Sequence, residues 1–472
     1  MPARPRIAIV GGGISGVATA YELAHRDRSE FVLYEASPRL GGIVETVRQD
    51  GFVIECGPDS WVAEKPWARE LAVELGLEDE IIPSQDHRRR TYLLHGESLV
   101  PMPDGMRMMV PADLESIADS RLFSEQARQA YRQEPARAEE LKAFALGRQD
   151  GEDESIASFV ERHFGEEATA KIAAPLLAGV FGGDIRQLSA AAVMAPFVKM
   201  EREYGSLILA LQANRRRREA APSVFTTVKS GLQSLIDGMT LAIPPTAIRR
   251  NELVLSVVPN AGSWQVATPA GIAEFDAVVL STPIHLARKL VAPWHEELQQ
   301  LLDIEATSSV VAAFAFDEAQ SASFRVPEGF GFLVPQSTEA SPLETEPPLL
   351  ACTFVDQKFP DRAPAGCVLL RAFYGGRSAP EILGQPDEAI AALARRQLAR
   401  ILGELPEPKI SLVRRWPHSL PQYTVGHHVR VARIEALVRE VDGLSLIGNA
   451  LRGVGLPDLV RQGRSLAAEL SS

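Results

Sequence analysis

The pattern of apolar and polar residues predicts a strand, a helix and a second strand in the first forty residues of the chain. Ile7 to Val10 is an apolar run of strand length, and branched side chains dominate it. From Val17 to Ala24 apolar residues recur at helical spacing, and a second apolar run follows from Phe31 to Tyr34. Elements in this order are typical of one half of a nucleotide-binding fold.

Beyond this unit the pattern changes twice. Residues 112–220 follow helical spacing almost throughout, whereas residues 304–375 hold short runs of branched and aromatic side chains that predict strands. An amphipathic helix is predicted over residues 386–405. We therefore expect a fold of class α/β and α+β, with a Rossmann-like part, a mixed sheet and a helical region.

A glycine-rich turn links the first predicted strand to the first predicted helix. Gly11, Gly13 and Gly16 have the spacing G-x-G-x-x-G, which permits a tight turn, close approach to a pyrophosphate, and close packing of helix and strand. The N-terminus of the helix then faces the phosphates with unpaired N–H groups. Glu35 follows the second strand, placed to accept hydrogen bonds from ribose hydroxyls, and its charge would repel a 2′-phosphate. The stretch predicts a dinucleotide site; the alternative is a glycine turn that binds nothing.

Composition narrows the classes of protein that remain. The 472 residues carry a net charge of −12, which disfavours nucleic acid as a partner. Three cysteines without a C-x-x-C spacing suit a reducing compartment and predict no metal site. No apolar run reaches the roughly 18 residues of a membrane span, and no signal peptide precedes the glycine turn. We expect a cytoplasmic protein that is soluble or at most peripheral at the inner face of the cell membrane.

Further turns indicate a long cofactor. Arg39 to Gly42 places a second glycine pair directly behind Glu35, with Arg39 expected near the phosphates. The turn-rich segment from Glu55 to Ser60 follows a predicted hairpin, and its backbone is expected to face the reactive ring of the cofactor. A last strand, glycine turn and helix surround Gly448 to Asp458.

These segments resemble the FAD-dependent family of protoporphyrinogen and coproporphyrinogen oxidases, within the larger group of amine-oxidase-like flavoproteins. The resemblance covers nearly the whole chain, with three specific blocks at residues 6–61, 175–189 and 414–463. The second block contains the motif GVFGGD at 179–184, and the third contains the pattern RW…PQY…GH from Arg415 to His427. The resemblance implies FAD as the cofactor. Ala450 and Leu459 depart from the tyrosine and cysteine of many relatives, and the missing cysteine favours a flavin that is bound non-covalently.

The expected cofactor contacts combine these turns with positions that the resemblance supplies. Val254 matches a valine that holds the adenine through its backbone in relatives, and Trp416 matches a tryptophan that packs near the flavin. A helix N-terminus in the last motif would stabilise the reduced flavin ring. The expected cofactor-binding residues are Gly11, Gly12, Gly13, Ile14, Ser15, Gly16, Glu35, Ala36, Arg39, Gly42, Ile43, Gly57, Pro58, Asp59, Ser60, Val254, Trp416, Gly448, Val454, Gly455 and Leu456.

The resemblance also implies a pocket for a large apolar macrocycle. Arg90 matches an arginine that contacts a propionate of the substrate, and its planar guanidinium suits a carboxylate. Gly179 lies in a motif whose glycines permit close approach to a flat ligand. Phe330, Leu333 and Phe373 fall at positions that line the pocket in the family, although aromatic residues in strands are as often simply core.

The resemblance divides the chain into three parts, and most of them are discontinuous in sequence. The FAD-binding part is expected to comprise residues 1–85, 222–284 and 410–472, the substrate-binding part residues 86–110 and 285–409, and the helical part residues 111–221. In the family the helical part roofs the substrate cavity and in some members faces a membrane.

The implied reaction is the six-electron oxidation of a porphyrinogen to a porphyrin in haem biosynthesis, with molecular oxygen as the acceptor. Protoporphyrinogen IX and coproporphyrinogen III both remain open as substrates, and the extra carboxylates of the second would favour basic groups such as Lys65 and Arg88 to Arg90. A flavin amine oxidase or carotenoid desaturase is the alternative enzyme, and a module that binds FAD without turnover is a third hypothesis. A homodimer also stays open.

No catalytic side chain and no metal is assigned, because aromatisation of the product favours the reaction and positioning is the main requirement. Asp59 is left with two interpretations. It either touches the flavin or a proton path, or it caps a turn.

Overall fold

The computed structural model describes residues 4–149, 151–217, 223–335, 346–376 and 379–471. Its strands are β1 (Arg6–Val10), β2 (Glu30–Glu35), β3 (Thr46–Gln49), β4 (Phe52–Glu55), β5 (Trp61–Val62), β6 (Ile81–Pro83), β7 (Thr91–His95), β8 (Ser98–Pro101), β9 (Met106–Arg107), β10 (Val110–Pro111), β11 (Phe225–Val228), β12 (Ile248–Arg250), β13 (Ser256–Asn260), β14 (Ser263–Thr268), β15 (Gly271–Phe275), β16 (Ala277–Leu280), β17 (Ala306–Phe316), β18 (Gly331–Leu333), β19 (Ala351–Phe354), β20 (Val368–Gly375), β21 (Ile410–Pro421) and β22 (Leu444–Leu446).

Its α-helices are α1 (Ile14–Arg26), α2 (Trp67–Glu74), α3 (Glu125–Gln133), α4 (Ala138–Gly147), α5 (Ile156–Ala168), α6 (Ala174–Phe181), α7 (Ala190–Val193), α8 (Ala195–Tyr204), α9 (Leu207–Arg217), α10 (Gln233–Ala242), α11 (Ile284–Val291), α12 (Glu296–Leu301), α13 (Glu318–Ser321), α14 (Val355–Lys358), α15 (Ala379–Leu383), α16 (Asp387–Leu402), α17 (His427–Arg439) and α18 (Leu456–Leu470). Short 3₁₀ turns lie at Glu78–Glu80, Asp86–Arg88, Leu114–Ile117, Glu134–Arg137 and Pro245–Ala247, and a π-helical turn lies at Thr169–Ala173.

Five parallel strands form the sheet that carries the first glycine turn, in the order β12-β2-β1-β16-β22. Ile7 and Ile9 of β1 pack in one core with α1, α10 and α18, whereas Ala8 and Val10 pack in another with the three-stranded sheet β13-β14-β15. Both faces of the strand are therefore buried, which explains why its sequence is a continuous apolar run. Glycine turns follow the carboxyl ends of β1 and β22, where α/β folds bind ligands.

A mixed sheet forms the second layer, in the order β21-β17-β20-β19-β18-β7-β8. The pair β18–β7 is parallel, and the other pairs are antiparallel. One face packs on α16 through residues such as Phe332, Ala372 and Leu393, and part of the other face packs on the hairpin β3–β4. Strand β21 lies in this sheet, although residues 410–472 were predicted to form the last segment of the FAD-binding part. The strand therefore pairs with a strand of the predicted substrate-binding part, across the predicted boundary at residue 410.

Helices α3 to α9 pack around a core of their own, in the region where helical spacing was predicted. Ser124, Ser155 and Ser189 each accept a hydrogen bond at a helix N-terminus, which satisfies one of the unpaired N–H groups there. In the described ranges no helix combines the length and the apolar character that crossing a bilayer would need. The fold class of a parallel α/β sheet, a mixed sheet and a helical region is confirmed.

Candidate functional site

The first glycine turn has room for side chains at one of its three motif positions only. Gly11 has φ +109°, and a Cβ there would lie 2.5 Å from the carbonyl oxygen of Ser281. A Cβ on Gly16 would overlap the carbonyl oxygen of Gly11. At Gly13, by contrast, no described atom lies within 4 Å of an added Cβ. The open space lies at the N-cap of α1, whose first N–H groups lack partners within the helix, so the turn offers a cradle for phosphate.

Glu35 stands beside this turn at the carboxyl end of β2. One carboxylate oxygen accepts the N–H of Gly12 at 2.8 Å, and the other accepts the N–H of Ser37 at 2.8 Å. A carboxylate has about four lone-pair sites, so both oxygens retain capacity for further donors. The side chain is therefore held in one orientation and can still accept the hydroxyls of a ribose.

The second glycine pair packs directly on the first turn. The N–H of Gly41 donates to the carbonyl of Gly12 at 2.7 Å, and a Cβ on Gly42 would lie 3.3 Å from Cα of Gly13. The guanidinium of Arg39 donates to the carbonyls of Val44, at 2.9 Å, and of Gly42, so it shapes its own loop. The same guanidinium lies 5.6 Å from the ring centre of Trp416, which links this loop to the mixed sheet.

The third glycine turn joins the other two through helix packing. Gly455 is the N-cap of α18, and Gly453 has φ +88° and lies against the carboxylate of Asp458. Because Gly463 of α18 has no side chain, the helix can approach the carbonyl of Ser15, which an added Cβ would meet at 2.5 Å. The N-termini of α1 and α18 thus belong to one closely packed pair of helices, and the structure brings the two motifs together.

Tyr423 and His427 hold this third turn from outside. The hydroxyl of Tyr423 donates to the carbonyl of Asn449 at 2.6 Å, and Nε2 of His427 lies 2.9 Å from the carbonyl of Leu451. The two rings stack with centres 3.9 Å apart. A carbonyl only accepts, so Nε2 carries the proton, and burial lowers the pKa of His427 from 6.5 to about 4, which keeps the ring neutral. The tyrosine and histidine of the PQY…GH pattern therefore act on the backbone of the last motif.

The segment from Cys56 to Ser60 lies between the second glycine pair and the mixed sheet. Trp416 donates its indole N–H to the carbonyl of Cys56 at 2.7 Å. A Cβ on Gly57 would overlap the carbonyl oxygen of Ile43, so only glycine fits at this crossing. The structure thus gathers Gly42, Ile43 and Gly57 with Trp416, four positions that the sequence assigned to the cofactor.

The carboxylate of Asp59 lies between two cations, Lys358 and Arg371. Lys358 donates to both carboxylate oxygens at 2.9 Å, and a guanidinium nitrogen of Arg371 lies 3.3 Å from one of them. Burial alone would raise the pKa of Asp59, but the two cations outweigh burial and hold it well below its usual range. The low pKa keeps the carboxylate ionised, in an ion pair with both cations.

Two buried hydroxyls complete the site and were absent from the predicted set. Oγ of Ser281 and Oγ1 of Thr282, after β16, lack a hydrogen-bond partner within the part of the chain that the structure describes. Ser281 lies against Gly11 and Gly16 of the first turn. Buried polar atoms are nearly always paired, so these two fit a ligand with phosphate or hydroxyl groups. Their position after a buried strand was visible in the sequence, but no spacing rule singles out hydroxyls there.

Three of the predicted substrate positions, Gly179, Leu333 and Phe373, lie together at the mixed sheet. The pairing places Leu333, Ala351 and Phe373 opposite one another on successive strands, so their side chains share a face. Strand spacing puts Leu333 and Phe373 about 10 Å apart. An added Cβ on Gly179 of α6 would lie 3.4 Å from Leu333, so the helix covers this end of the row. Trp416 lies on the same face, through its pairing with β17.

Arg90 and Phe330 lie next to each other at the ends of β7 and β18. The backbone N–H of Phe330 donates to the carbonyl of Arg90 at 2.8 Å, and Phe330 is buried while Arg90 is exposed. The structure thus places Arg90 as an exposed cation at the start of β7, next to the buried Phe330, and its contact with a substrate stays a prediction.

The side-chain amide of Gln422 connects helix α6, which covers the row of Leu333 and Phe373, to the rest of the site. The side chain of Gln422 donates to the carbonyl of Phe181, at the end of α6, at 2.8 Å, and its Oε1 fills the space where Gly183 lacks a side chain. The PQY and GVFGGD motifs, far apart in sequence, are thus in contact.

The three glycine turns, the carboxylate of Glu35 beside the first of them and the adjoining mixed sheet are features of an FAD-dependent oxidoreductase. The profile of the family described as flavin containing amine oxidoreductase matches residues 14–471, so the chain belongs to this family and FAD is its cofactor. The family resemblance noted from the motifs is confirmed.

Individual relatives are more specific. The chain is 28% identical to the coproporphyrinogen III oxidase of Bacillus subtilis (strain 168), over 99% of this chain and 98% of that protein. It is 30% identical to the coproporphyrinogen III oxidase of Propionibacterium freudenreichii subsp. freudenreichii, over 98% and 90% of the two chains. A crystal structure of a provisionally assigned protoporphyrinogen oxidase from Exiguobacterium sp. 255-15 superposes with a TM-score of 0.83 at 29% identity, over 99% of both chains.

Proposed function

We propose that this enzyme oxidises a porphyrinogen to the corresponding porphyrin, with release of three molecules of hydrogen peroxide for six electrons removed. The observation that carries the proposal is the apolar face of the mixed sheet, with Leu333 and Phe373 in one row and Trp416 beside the turn at Gly57. A large apolar macrocycle requires such a wall next to the flavin. The names of the relatives above support the same chemistry.

We assign the side chains of the site to positioning the substrate, and we assign none of them to proton transfer. Bound FAD supplies the chemistry of a two-electron hydride acceptor that molecular oxygen can reoxidise. Phe330, Leu333 and Phe373 exclude water from the macrocycle, and Arg90 at the rim binds a propionate carboxylate through its planar fork. Asp59 stays ionised between its two cations and is assigned to holding the turn that follows Gly57.

We favour coproporphyrinogen III over protoporphyrinogen IX as the substrate. Arg88, Arg89 and Arg90 are all exposed beside the start of β7, and a substrate with four propionates uses more cations than one with two. Arg88 lies 3.8 Å from Glu328 in an exposed pair, which costs little to open. Lys65, the other candidate cation, is paired with Asp458 at 2.5 Å and is assigned to the last glycine turn instead. The names of two of the relatives support this choice, and that of the Exiguobacterium protein supports the alternative.

Three related proposals accompany this assignment. FAD is held without a covalent bond, because Leu459 and its neighbours in the last motif offer no thiol. We propose that the enzyme acts in the cytoplasm. The division into FAD-binding, substrate-binding and helical parts follows the predicted boundaries, with β21 shared at the border.

A steady-state assay tests the proposal. Each porphyrinogen is added to FAD-replete enzyme in air, and porphyrin fluorescence is recorded together with oxygen uptake. We expect porphyrin formation with three oxygen molecules consumed for each porphyrin, and a higher kcat/KM for coproporphyrinogen III. Absence of enzyme-dependent porphyrin from both substrates would refute the function, and a preference for protoporphyrinogen IX would refute the substrate.

A further inference from the structure

A buried ion cluster joins the mixed sheet to the turn at Gly57. Arg371 of β20 is 1% exposed, and its guanidinium contacts the carboxylate of Asp59 with one terminal nitrogen and the carbonyl of Gly57 with the other. Lys358 of α14 binds the same carboxylate through both oxygens at 2.9 Å. The turn is thus fastened to two elements of the neighbouring layer.

The two cations do different work. Lys358 already supplies one positive charge to Asp59, and burying a second cation beside it carries a desolvation cost. Arg371 also donates a hydrogen bond to the carbonyl of Gly57, whereas Lys358 donates to Asp59 and Ser60. Its planar fork can bind two acceptors at once, whereas an ammonium is a single point charge. The guanidinium of Arg371 also lies 4.9 Å from the ring centre of Phe373, a residue of the predicted substrate wall.

The carbonyl groups of Cys56 and Gly57 both accept hydrogen bonds from side chains of the mixed sheet, and these bonds fix the orientation of the peptide groups in the turn. Trp416 holds the carbonyl of Cys56 at 2.7 Å, and Arg371 holds the carbonyl of Gly57. In a trans peptide the C=O and the following N–H point in opposite directions. The N–H of Gly57 therefore points away from Trp416. Pro58 follows with no N–H, so of these two residues only Gly57 can donate from its backbone.

We propose that Arg371 is a positioning residue of the cofactor site, which fixes the turn at Gly57 so that its N–H donates to the flavin ring. The proposal rests on the predicted contact of FAD with residues 57–60 and not on the identity of the substrate. A donor held at the ring stabilises the electron-rich reduced flavin more than the oxidised one, so it raises the midpoint potential. Arg371 acts through the turn and does not touch the reacting atoms.

Two charge-conserving variants separate this role from simple charge or stability. Arg371→Lys keeps the cation but loses the fork, so the Gly57 carbonyl is released. Lys358→Arg keeps a cation on the same carboxylate and leaves the Gly57 carbonyl bound. Both are prepared with FAD, and both are measured by reductive titration of the flavin, by hydrogen exchange of the backbone amides of residues 59–62, and by thermal unfolding. No porphyrinogen is needed, so failure of the proposed substrate leaves the test intact.

For Arg371→Lys we expect a more negative midpoint potential and hydrogen exchange about tenfold faster, as loss of a charge-assisted hydrogen bond implies. Lys358→Arg should keep the wild-type potential and exchange rate. Wild-type values in Arg371→Lys, or equal changes in both variants, would overturn the proposal. If Arg371→Lys does not fold, the double variant Asp59→Asn with Arg371→Gln removes both charged partners together. The glutamine side chain is shorter than that of arginine and should not reach the carbonyl of Gly57, so we expect the same shift in midpoint potential. An unshifted potential in the double variant would also overturn the proposal.

Discussion

The three glycines of the first turn differ in what an added side chain would meet, and this difference separates folding from cofactor binding. Gly11 and Gly16 are required by the protein itself, because a Cβ would run into Ser281 or the turn. Gly13 has no described atom within 4 Å of an added Cβ and an extended backbone that alanine can adopt. The spacing motif predicts all three glycines alike, and only the geometry tells them apart.

Gly13→Ala should therefore leave the apoprotein folded and weaken FAD binding about tenfold, since a methyl group would intrude on a well-packed ligand. The measurement is the dissociation constant of FAD together with the melting temperature of the apoprotein. Gly147→Ala, at the end of α4 with similarly open surroundings, is the matched control and should change neither quantity by much. Wild-type FAD affinity in Gly13→Ala would mean that the pyrophosphate lies elsewhere.

The proposed role of Arg90 also concerns a single residue, because it depends on one exposed guanidinium. Arg90→Ala should raise KM for the porphyrinogen about tenfold with little change in kcat, as loss of a charge-assisted hydrogen bond to a propionate implies. Arg121→Ala removes an equal charge from an exposed position in the helical region and serves as the control. Equal effects of the two variants would reduce the role of Arg90 to general electrostatic attraction.

At the scale of secondary-structure elements, several residues of the pattern RW…PQY…GH form hydrogen bonds between segments distant in sequence. Gln422 fastens the end of α6, and Tyr423 and His427 fasten the turn before α18. The sequence identified the pattern by resemblance but could not supply this reason, because each partner is a backbone carbonyl in another segment. Backbone acceptors leave no trace in residue type.

Tyr423→Phe tests the tie to the last glycine turn. The variant leaves the carbonyl of Asn449 without its donor, so we expect about 1–2 kcal/mol less stability and a measurably faster loss of FAD on dilution. Tyr131→Phe loses a similar buried hydrogen bond, to the carbonyl of Met109 at 3.0 Å, within the helical region. That control should lose comparable stability and keep its FAD. Identical FAD release from both variants would show that Tyr423 has only a general structural role.

For the whole molecule, the elements could be predicted far better than their assembly. Apolar runs located β1, β2, β17 and β20 because burial on a sheet leaves a periodic signal. The cluster of Asp59, Lys358 and Arg371 left none, since charged residues in loops and strands are usually solvated and only the fold brings these three together. The same holds for β21, whose strand pairing lies across the predicted boundary at residue 410.

Acid should weaken the folded protein through His427. Its pKa is lowered by burial from 6.5 to about 4, so between these values the unfolded chain binds a proton that the folded protein does not. Stability from this residue is present above pH 6.5 and is lost as the pH falls toward 4, by at most about 3 kcal/mol. Unfolding free energies of wild type and His427→Gln at pH 7.5 and pH 4.5 check this. The variant should lose less on acidification, and parallel losses would contradict the assignment.

The most direct measurement of function is a single turnover without oxygen. Anaerobic coproporphyrinogen III is mixed with the FAD-loaded enzyme, and the visible flavin band is followed in a stopped-flow instrument alongside protoporphyrinogen IX and a simple amine. We predict rapid bleaching by coproporphyrinogen III, slower bleaching by protoporphyrinogen IX, and none by the amine. A flavin band that stays unchanged with both porphyrinogens, or that only the amine bleaches, would contradict a porphyrinogen oxidase.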